Sequence, residues 1–221
     1  MIKYLIWDFD GVICDSMEVA FKCHNALAAR YKTLPFIHSP DDYVSIFSGE
    51  FESSLEKYVK KCEVCRYFDL HRELLYRNKD QIKIFPGVID FIKNFCCESV
   101  ILTSASEKFL KEILLERFPD YEKFFKIIIG RERNGNKSDK LLWLCNTFRV
   151  STQEILYIGD TLSDVFYCNM AKVPIICVGY GYSPASAFRD KEVLYLANTR
   201  KHLFRFLMSY CNNDKLCKRT T

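Results

Sequence analysis

Five short runs along the chain are apolar on both alternating faces: Ile2–Trp7, Ser99–Thr103, Phe125–Ile129, Ile155–Ile158 and Ile175–Val178. Strand side chains alternate between faces, so a run that is apolar on both predicts a strand in a sheet buried on both sides. Between these runs the apolar positions change to helical spacing, as in Phe109, Leu110, Ile113 and Leu114, in Leu141, Leu142 and Cys145, and in Leu203, Phe204 and Leu207. Strand–helix alternation of this kind predicts an α/β fold, a doubly wound parallel sheet.

One segment departs from the alternation. Between Ser16 and Phe85 only helical patterns occur. Met17, Ala20, Phe21, His24, Leu27, Ala28 and Tyr31 form one continuous helical face. A second helix is expected to start at Ser39-Pro40-Asp41-Asp42, and two more are expected over Phe51–Cys62 and Tyr67–Asn78. Phe85-Pro86-Gly87 marks the return. The chain is therefore divided into a core domain of residues 1–15 and 85–221 and an inserted helical domain of residues 16–84. His24 lies on the apolar face and reads as a core histidine.

Composition narrows the picture. The chain has 221 residues, 49% of them hydrophobic, enough for one large domain with an insertion. The net charge of +4 is too mild to suggest a nucleic-acid partner and suits a small anionic substrate. Eleven cysteines, an odd number, include Cys14, Cys23, Cys145, Cys168 and Cys177 in apolar segments. Lys3 and Asp8 interrupt the first apolar stretch, and no run is long enough to cross a membrane. A reducing cytoplasmic setting with free thiols and no membrane partner is the expectation. Cys62-Glu63-Val64-Cys65 is a lone C-x-x-C without a second pair at metal spacing, and the nearest histidine, His71, stands alone.

The chemistry concentrates at strand ends. Ligands of open α/β sheets bind beyond the carboxyl ends of the strands. Asp8 and Asp10 follow the first strand, within Trp7-Asp8-Phe9-Asp10-Gly11. Two carboxylates that close repel and lose hydration, so a compensating cation is expected. Thr103 and Ser104 follow the second run, and Gly159, Asp160, Thr161 and Asp164 follow the fourth. Lys137 and Lys140 precede the helix at Leu141. Acids, hydroxyls and a lysine on one rim make a kit for phosphoryl transfer: a nucleophilic carboxylate, a second carboxyl as acid and base, and a divalent metal.

Order and spacing of these residues resemble the haloacid dehalogenase superfamily, on its phosphatase side, over nearly the whole chain. Asp8-Phe9-Asp10-Gly11-Val12 matches its first motif, Leu102-Thr103-Ser104 its second, Lys137 its third, and Gly159-Asp160-Thr161-Leu162-Ser163-Asp164 its fourth. The inserted helices resemble the type-1 cap of phosphoglycolate phosphatases and β-phosphoglucomutases. The resemblance implies a Rossmann-like core and a Mg²⁺-dependent phosphatase that hydrolyses a small soluble phosphomonoester through an aspartyl-phosphate. Asp8 would be nucleophile and metal ligand. Asp10 would be acid/base, with its backbone carbonyl on the metal, and Asp160 and Asp164 would be further ligands. Thr103, Ser104 and Lys137 would bind phosphate. A one-residue shift that makes Ser104 the hydroxyl donor in place of Thr103 stays open, and so does Lys140 in place of Lys137, the latter because the Lys-Pro-x-Pro form common among the relatives is missing. Asp10 argues against dehalogenation. A phosphosugar mutase is the alternative activity, and a non-catalytic phosphate-binding or signalling module is the alternative from another class. Tyr31, Lys32, Tyr43, Phe47, Lys60, Arg72 and Arg77 are the aromatic and basic residues available in the insertion to read a leaving group. Gly179-Tyr180-Gly181 reads as a flexible loop after the last strand. No feature of the sequence specifies an oligomeric state.

Overall fold

Strand β1 (Tyr4–Trp7) and the two-residue β2 (Cys14–Asp15) lead into α1 (Met17–Arg30). Helix α2 (Lys61–Arg77) and β3 (Lys83–Ile84) bring the chain back. The rest alternates: α3 (Val88–Asn94), β4 (Glu98–Leu102), α4 (Glu107–Arg117), β5 (Phe125–Ile129), α5 (Lys137–Phe148), β6 (Ile155–Gly159), α6 (Leu162–Ala171), β7 (Ile175–Val178), β8 (Tyr195–Ala197) and α7 (Arg200–Asn212). The computed structural model describes residues 1–39, 42 and 54–212.

Six strands form one parallel sheet in the order β5-β4-β1-β6-β7-β8. The period-two alternation sorts every strand between two hydrophobic clusters. Leu5, Trp7, Ile101, Leu156, Ile158, Ile176 and Val178 face one cluster, with Val88, Ile92, Leu110, Ile113, Leu203 and Leu207 of α3, α4 and α7. Ile6, Val100, Leu102, Ile155, Tyr157, Ile175 and Cys177 face the other, with Leu141, Leu144, Val165 and Cys168 of α5 and α6. Both faces are thus covered, as expected for a doubly wound parallel sheet. Trp7 is fully buried, and its indole N–H is satisfied by Ser99 Oγ at 3.1 Å. Strand β1 lies centrally between β4 and β6, so its carboxyl end opens at the point where the strand order reverses.

The inserted segment has its own apolar cluster of Leu27, Ala28, Leu34, Ile37, Leu55, Val59, Val64 and Tyr67, where α1 packs on α2. Its two crossings to the sheet run side by side. Cys14 and Asp15 pair antiparallel with Ile84 and Lys83, and the Phe85 amide donates to the Ile13 carbonyl at 2.9 Å.

The segment is therefore not helical throughout, since β3 closes it. The helix expected to begin at Tyr67 begins at Lys61 instead, because Val64 and Tyr67, three apart, both enter the cluster. Residues 40–41 and 51–53, on which two expected helix starts fall, lie outside the described residues.

Cys62 and Cys65 are exposed on the first turn of α2, and the metal-type cluster found among the described residues contains neither. Nine described cysteines carry free thiols, whereas Cys96 departs from that expectation and is disulfide-bonded. Among the described residues, no helix is long and apolar enough to cross a membrane.

His24 is a core histidine, 2% exposed. Its Nε2 faces the Pro35 carbonyl at 2.8 Å and must donate, so Nδ1 accepts from the Tyr67 hydroxyl at 2.6 Å. Replacing Tyr67 by Phe removes this buried hydrogen bond from Nδ1. The expected cost is about 1–3 kcal/mol, read from urea unfolding; a change below about 0.5 kcal/mol would show that His24 does not need this partner.

Candidate active site

Trp7 is in register with Ile101 on one side and Ile158 on the other, and the Asp8 amide donates to the Ile158 carbonyl at 2.9 Å. Asp8 therefore emerges at the carboxyl edge of the sheet. It is 6% exposed, with Oδ1 accepting from the Phe9 amide at 2.7 Å and Oδ2 from Lys137 Nζ at 2.5 Å. The chain then turns tightly, since the Ile13 and Cys14 amides both donate to the Phe9 carbonyl. Gly11 has φ +74°, and a Cβ there would sit 1.9 Å from Asp160 Oδ2. Backbone conformation and close approach both demand glycine.

The β6–α6 junction supplies the second pair of acids. Thr161 is the N-cap, and its Oγ1 accepts from the Asp164 amide at 3.2 Å. Asp164 Oδ2 answers by accepting from the Thr161 amide at 3.0 Å and hydroxyl at 2.6 Å, completing a capping box. Oδ1 of Asp164 accepts from Lys137 Nζ at 2.5 Å and from the Tyr157 hydroxyl at 3.1 Å. Asp160 is released from capping. Its Oδ2 accepts from the Tyr182 amide at 2.7 Å, and its Oδ1 is buried with no hydrogen-bond partner.

Lys137 opens α5, where Asn136 and Asp139 form another capping box. Its ammonium joins Asp8 to Asp164, whereas Lys140 is buried with its Nζ on the Gly130 carbonyl at 3.0 Å. Burial pushes Asp8 up to about 7 despite the neighbouring Lys137. Burial likewise holds Asp160 well above the carboxylate range. Asp164 is pushed the same way by burial, but Lys137 and the Thr161 hydrogen bonds outweigh it and hold the acid below its ordinary value. Lys137 loses hydration too, and the two acids more than compensate, raising its pKa.

Asp10 stands apart from that cluster. Its Oδ1 accepts from Ser16 Oγ at 2.6 Å and from Cys14 Sγ at 3.7 Å, and its Oδ2 has no protein partner among the described residues. Burial raises its pKa, opposed by Ser16. Thr103 is 1% exposed, and its Oγ1 accepts from the Ala105 amide at 3.0 Å, which leaves the hydroxyl proton available. Ser104 is exposed on the rim.

These groups share a cleft of about 790 Å³ roofed by α2, through Phe68, His71, Arg72 and Tyr76. Of the residues suggested to read a leaving group, Arg72 lines the cleft, beside Asp69. Arg77 is on Glu73 at 2.5 Å, Tyr31, Lys32 and Lys60 are not part of the lining, and Tyr43 and Phe47 lie outside the described residues.

The sequence marks Thr161 within the fourth motif and Ser16 at the start of the insertion, but not their hydrogen bonds to the acids, and it marks neither Tyr157 nor Tyr182 as part of the site. The loop after β7, expected from its glycines to be flexible, holds Tyr182 and Ser183 buried, and both their amides bond Asp160. It follows the carboxyl end of a strand, which is the signal that could have found it.

The donor set suits a cation. Carboxylate oxygens of Asp8, Asp160 and Asp164 lie within 4.8 Å of one another, all three residues are buried, and Asp160 Oδ1 is an orphan. Oxygen-only donors of this kind fit a hard divalent cation.

The family model described as haloacid dehalogenase-like hydrolase matches residues 5–178. A phosphoglycolate phosphatase of Thiobacillus denitrificans is 24% identical over 197 residues, covering 82% of this chain and 85% of its own. That of Chromobacterium violaceum is 27% identical over 205 residues, covering 84% and 88%. A haloacid dehalogenase-like family hydrolase from Streptococcus pneumoniae superposes with a TM-score of 0.77 at 16% identity, over 93% of this chain and 98% of its own.

Because burial raises Asp8, the metal-free protein is favoured by its protonated form. That contribution is complete below about 3.8 and is lost as pH rises through about 7. A divalent cation binds the ionised form and opposes the loss. The rise in Tm on adding saturating Mg²⁺ is expected to be small near the lower of these values and to grow across the window. Asp160→Asn is expected to abolish it. A rise independent of pH would remove these acids as the binding site.

Proposed function

The chain belongs to the haloacid dehalogenase-like hydrolase family and is a phosphatase within it, and from that premise we propose Mg²⁺-dependent hydrolysis of a small soluble phosphomonoester through an aspartyl-phosphate on Asp8. One observation carries the reading. The buried Asp8 carboxylate is held by Lys137 Nζ at 2.5 Å on the floor of a cleft, beside a second carboxylate, Asp10, with one oxygen unpartnered.

Asp8 attacks phosphorus, forming the acyl-phosphate bond as the bond to the leaving oxygen breaks. Asp10 Oδ2 gives that oxygen its proton, and the free alcohol departs. Asp10, now ionised, takes a proton from water as the water oxygen attacks phosphorus. Phosphate leaves and the Asp8 carboxylate is restored.

Lys137 holds the nucleophile and a phosphate oxygen, so the charge of the transferring group is met by a cation already in place. Thr103, with its hydroxyl proton free, and Ser104 hold the remaining oxygens. Asp8, the Asp10 carbonyl, Asp160 and Asp164 would hold Mg²⁺, which when bound neutralises and orients the phosphate. Residues 16–84 act as a cap on the core of 1–15 and 85–221. They exclude water, and their α2 face contacts the leaving group. The substrate class is a small phosphorylated metabolite, as the names of the phosphoglycolate phosphatase relatives suggest, and the setting is the cytoplasm.

A phosphomonoester panel with Mg²⁺, scored by phosphate release, tests the reading. Asp8→Asn is expected to lose activity on the order of 10³-fold or more, and Asp10→Asn about 10²–10⁴-fold. Turnover surviving in Asp8→Asn would refute the covalent intermediate. Isomerised phosphosugar without net phosphate release would make the protein a mutase, and no turnover across a broad panel would make it a binding module.

A further inference from the structure

The loop after β7 touches both halves of the chemistry. The Tyr182 amide donates to Asp160 Oδ2 at 2.7 Å, and the Ser183 amide donates to the Asp160 carbonyl at 3.2 Å. Gly181 brings the backbone against the same residue, since a Cβ there would lie 2.4 Å from Asp160 Oδ2 and 2.6 Å from the Gly11 carbonyl. At its other end the Tyr182 hydroxyl meets Ser16 Oγ at 3.0 Å, and Ser16 Oγ lies 2.6 Å from Asp10 Oδ1. Tyr182 and Ser16 are both buried, 9% and 1% exposed.

Donor bookkeeping sets the direction of this chain. Ser16 has one hydroxyl proton, and the ionised Asp10 carboxylate can only accept, so that proton goes to Asp10. Tyr182 must then donate to Ser16. Ser16 is also the N-cap of α1, a place where serine ordinarily accepts from the free amides of the first helical turn. Its side chain makes no such bond. The Tyr182 hydroxyl competes with those amides for the oxygen of Ser16 and keeps Ser16 directed at Asp10.

Resting on the assignment of Asp10 as the acid–base group, we propose that Tyr182 is a positioning residue: it holds Asp10, through Ser16, at a set place relative to the metal-binding Asp160. Without its hydroxyl, Ser16 turns to cap α1 and Asp10 loses its orientation. The phenol ring and the amide on Asp160 are kept in Tyr182→Phe, so cation binding is retained.

The test compares two leaving groups. An alkyl phosphomonoester needs a proton on its leaving oxygen, whereas p-nitrophenolate leaves without one. In Tyr182→Phe, kcat/KM on the alkyl ester, which covers the steps through departure of the leaving group and so reports the acid role of Asp10 alone, is expected to fall about tenfold, a part of the whole acid–base contribution. kcat/KM on p-nitrophenyl phosphate is expected to change less than about twofold. Ser16→Ala, which leaves the loop intact, is expected to show the same selectivity, and the double variant no further loss. Equal losses on both esters, or losses that multiply in the double variant, would overturn the role of Tyr182. Crystal structures of the native protein and Tyr182→Phe decide independently of turnover. An Asp10 carboxylate displaced from Ser16 supports the role, and an unmoved one refutes it. A native protein that releases phosphate from no ester would sink the phosphatase reading while the crystallographic comparison still judged the contact.

Discussion

Three carboxylates buried around one ammonium is the constraint on which the rest of this molecule depends. Asp8, Asp160 and Asp164 would each lose several kcal/mol of hydration if charged in isolation. Lys137 bonds two of them and leaves the third without a hydrogen bond from it. The site therefore holds an uncompensated demand for positive charge, and neighbouring structure serves to keep that demand concentrated. Glycine at position 11 lets the first acid-bearing turn press against Asp160, and the capping box of α6 pins Asp164 so that its remaining oxygen faces Lys137.

Asp164 shows how local and long-range requirements coincide. One carboxylate oxygen ends a helix, and the other joins a lysine from a different helix and the hydroxyl of Tyr157. The fold at this point cannot be separated from the electrostatics. Removing the acid would take away the reciprocal half of the α6 capping box and one of the two carboxylates on Lys137 together.

Legibility in the sequence followed the distance over which each feature is specified. Five of the six sheet strands, the edge strand β5 among them, are readable because burial on both faces leaves apolar residues at nearly consecutive positions. Strand β8 was missed: at the sheet edge only Ala197 is fully buried, so Tyr195 and Leu196 carry little pattern. Strands β2 and β3 have two residues each and no period at all. Asp8, Asp10, Asp160 and Asp164 stood out because acids at strand ends are costly. Lys137 and Lys140 looked alike, being three apart on one helix, and tertiary packing separates them by tying Lys140 to Gly130. Ser16 and Tyr182 are 166 positions apart, and nothing in either neighbourhood announces the other. What a residue costs can be read locally; whom it touches cannot.

The paired crossings of β2 and β3 have a consequence for the engineering of the chain. Asp15 and Lys83 are direct neighbours across an antiparallel pair, the geometry that a two-residue hairpin turn closes. The chain leaves the sheet and returns to it at adjoining backbone positions. The excursion stays tied to what it leaves, since Ser16 Oγ bonds Asp10, and Val19, Cys23 and Ile82 pack in the cluster on one face of the sheet. A turn or a different roof grafted across Asp15 and Lys83 would have to supply both a partner for Asp10 and cover for that cluster.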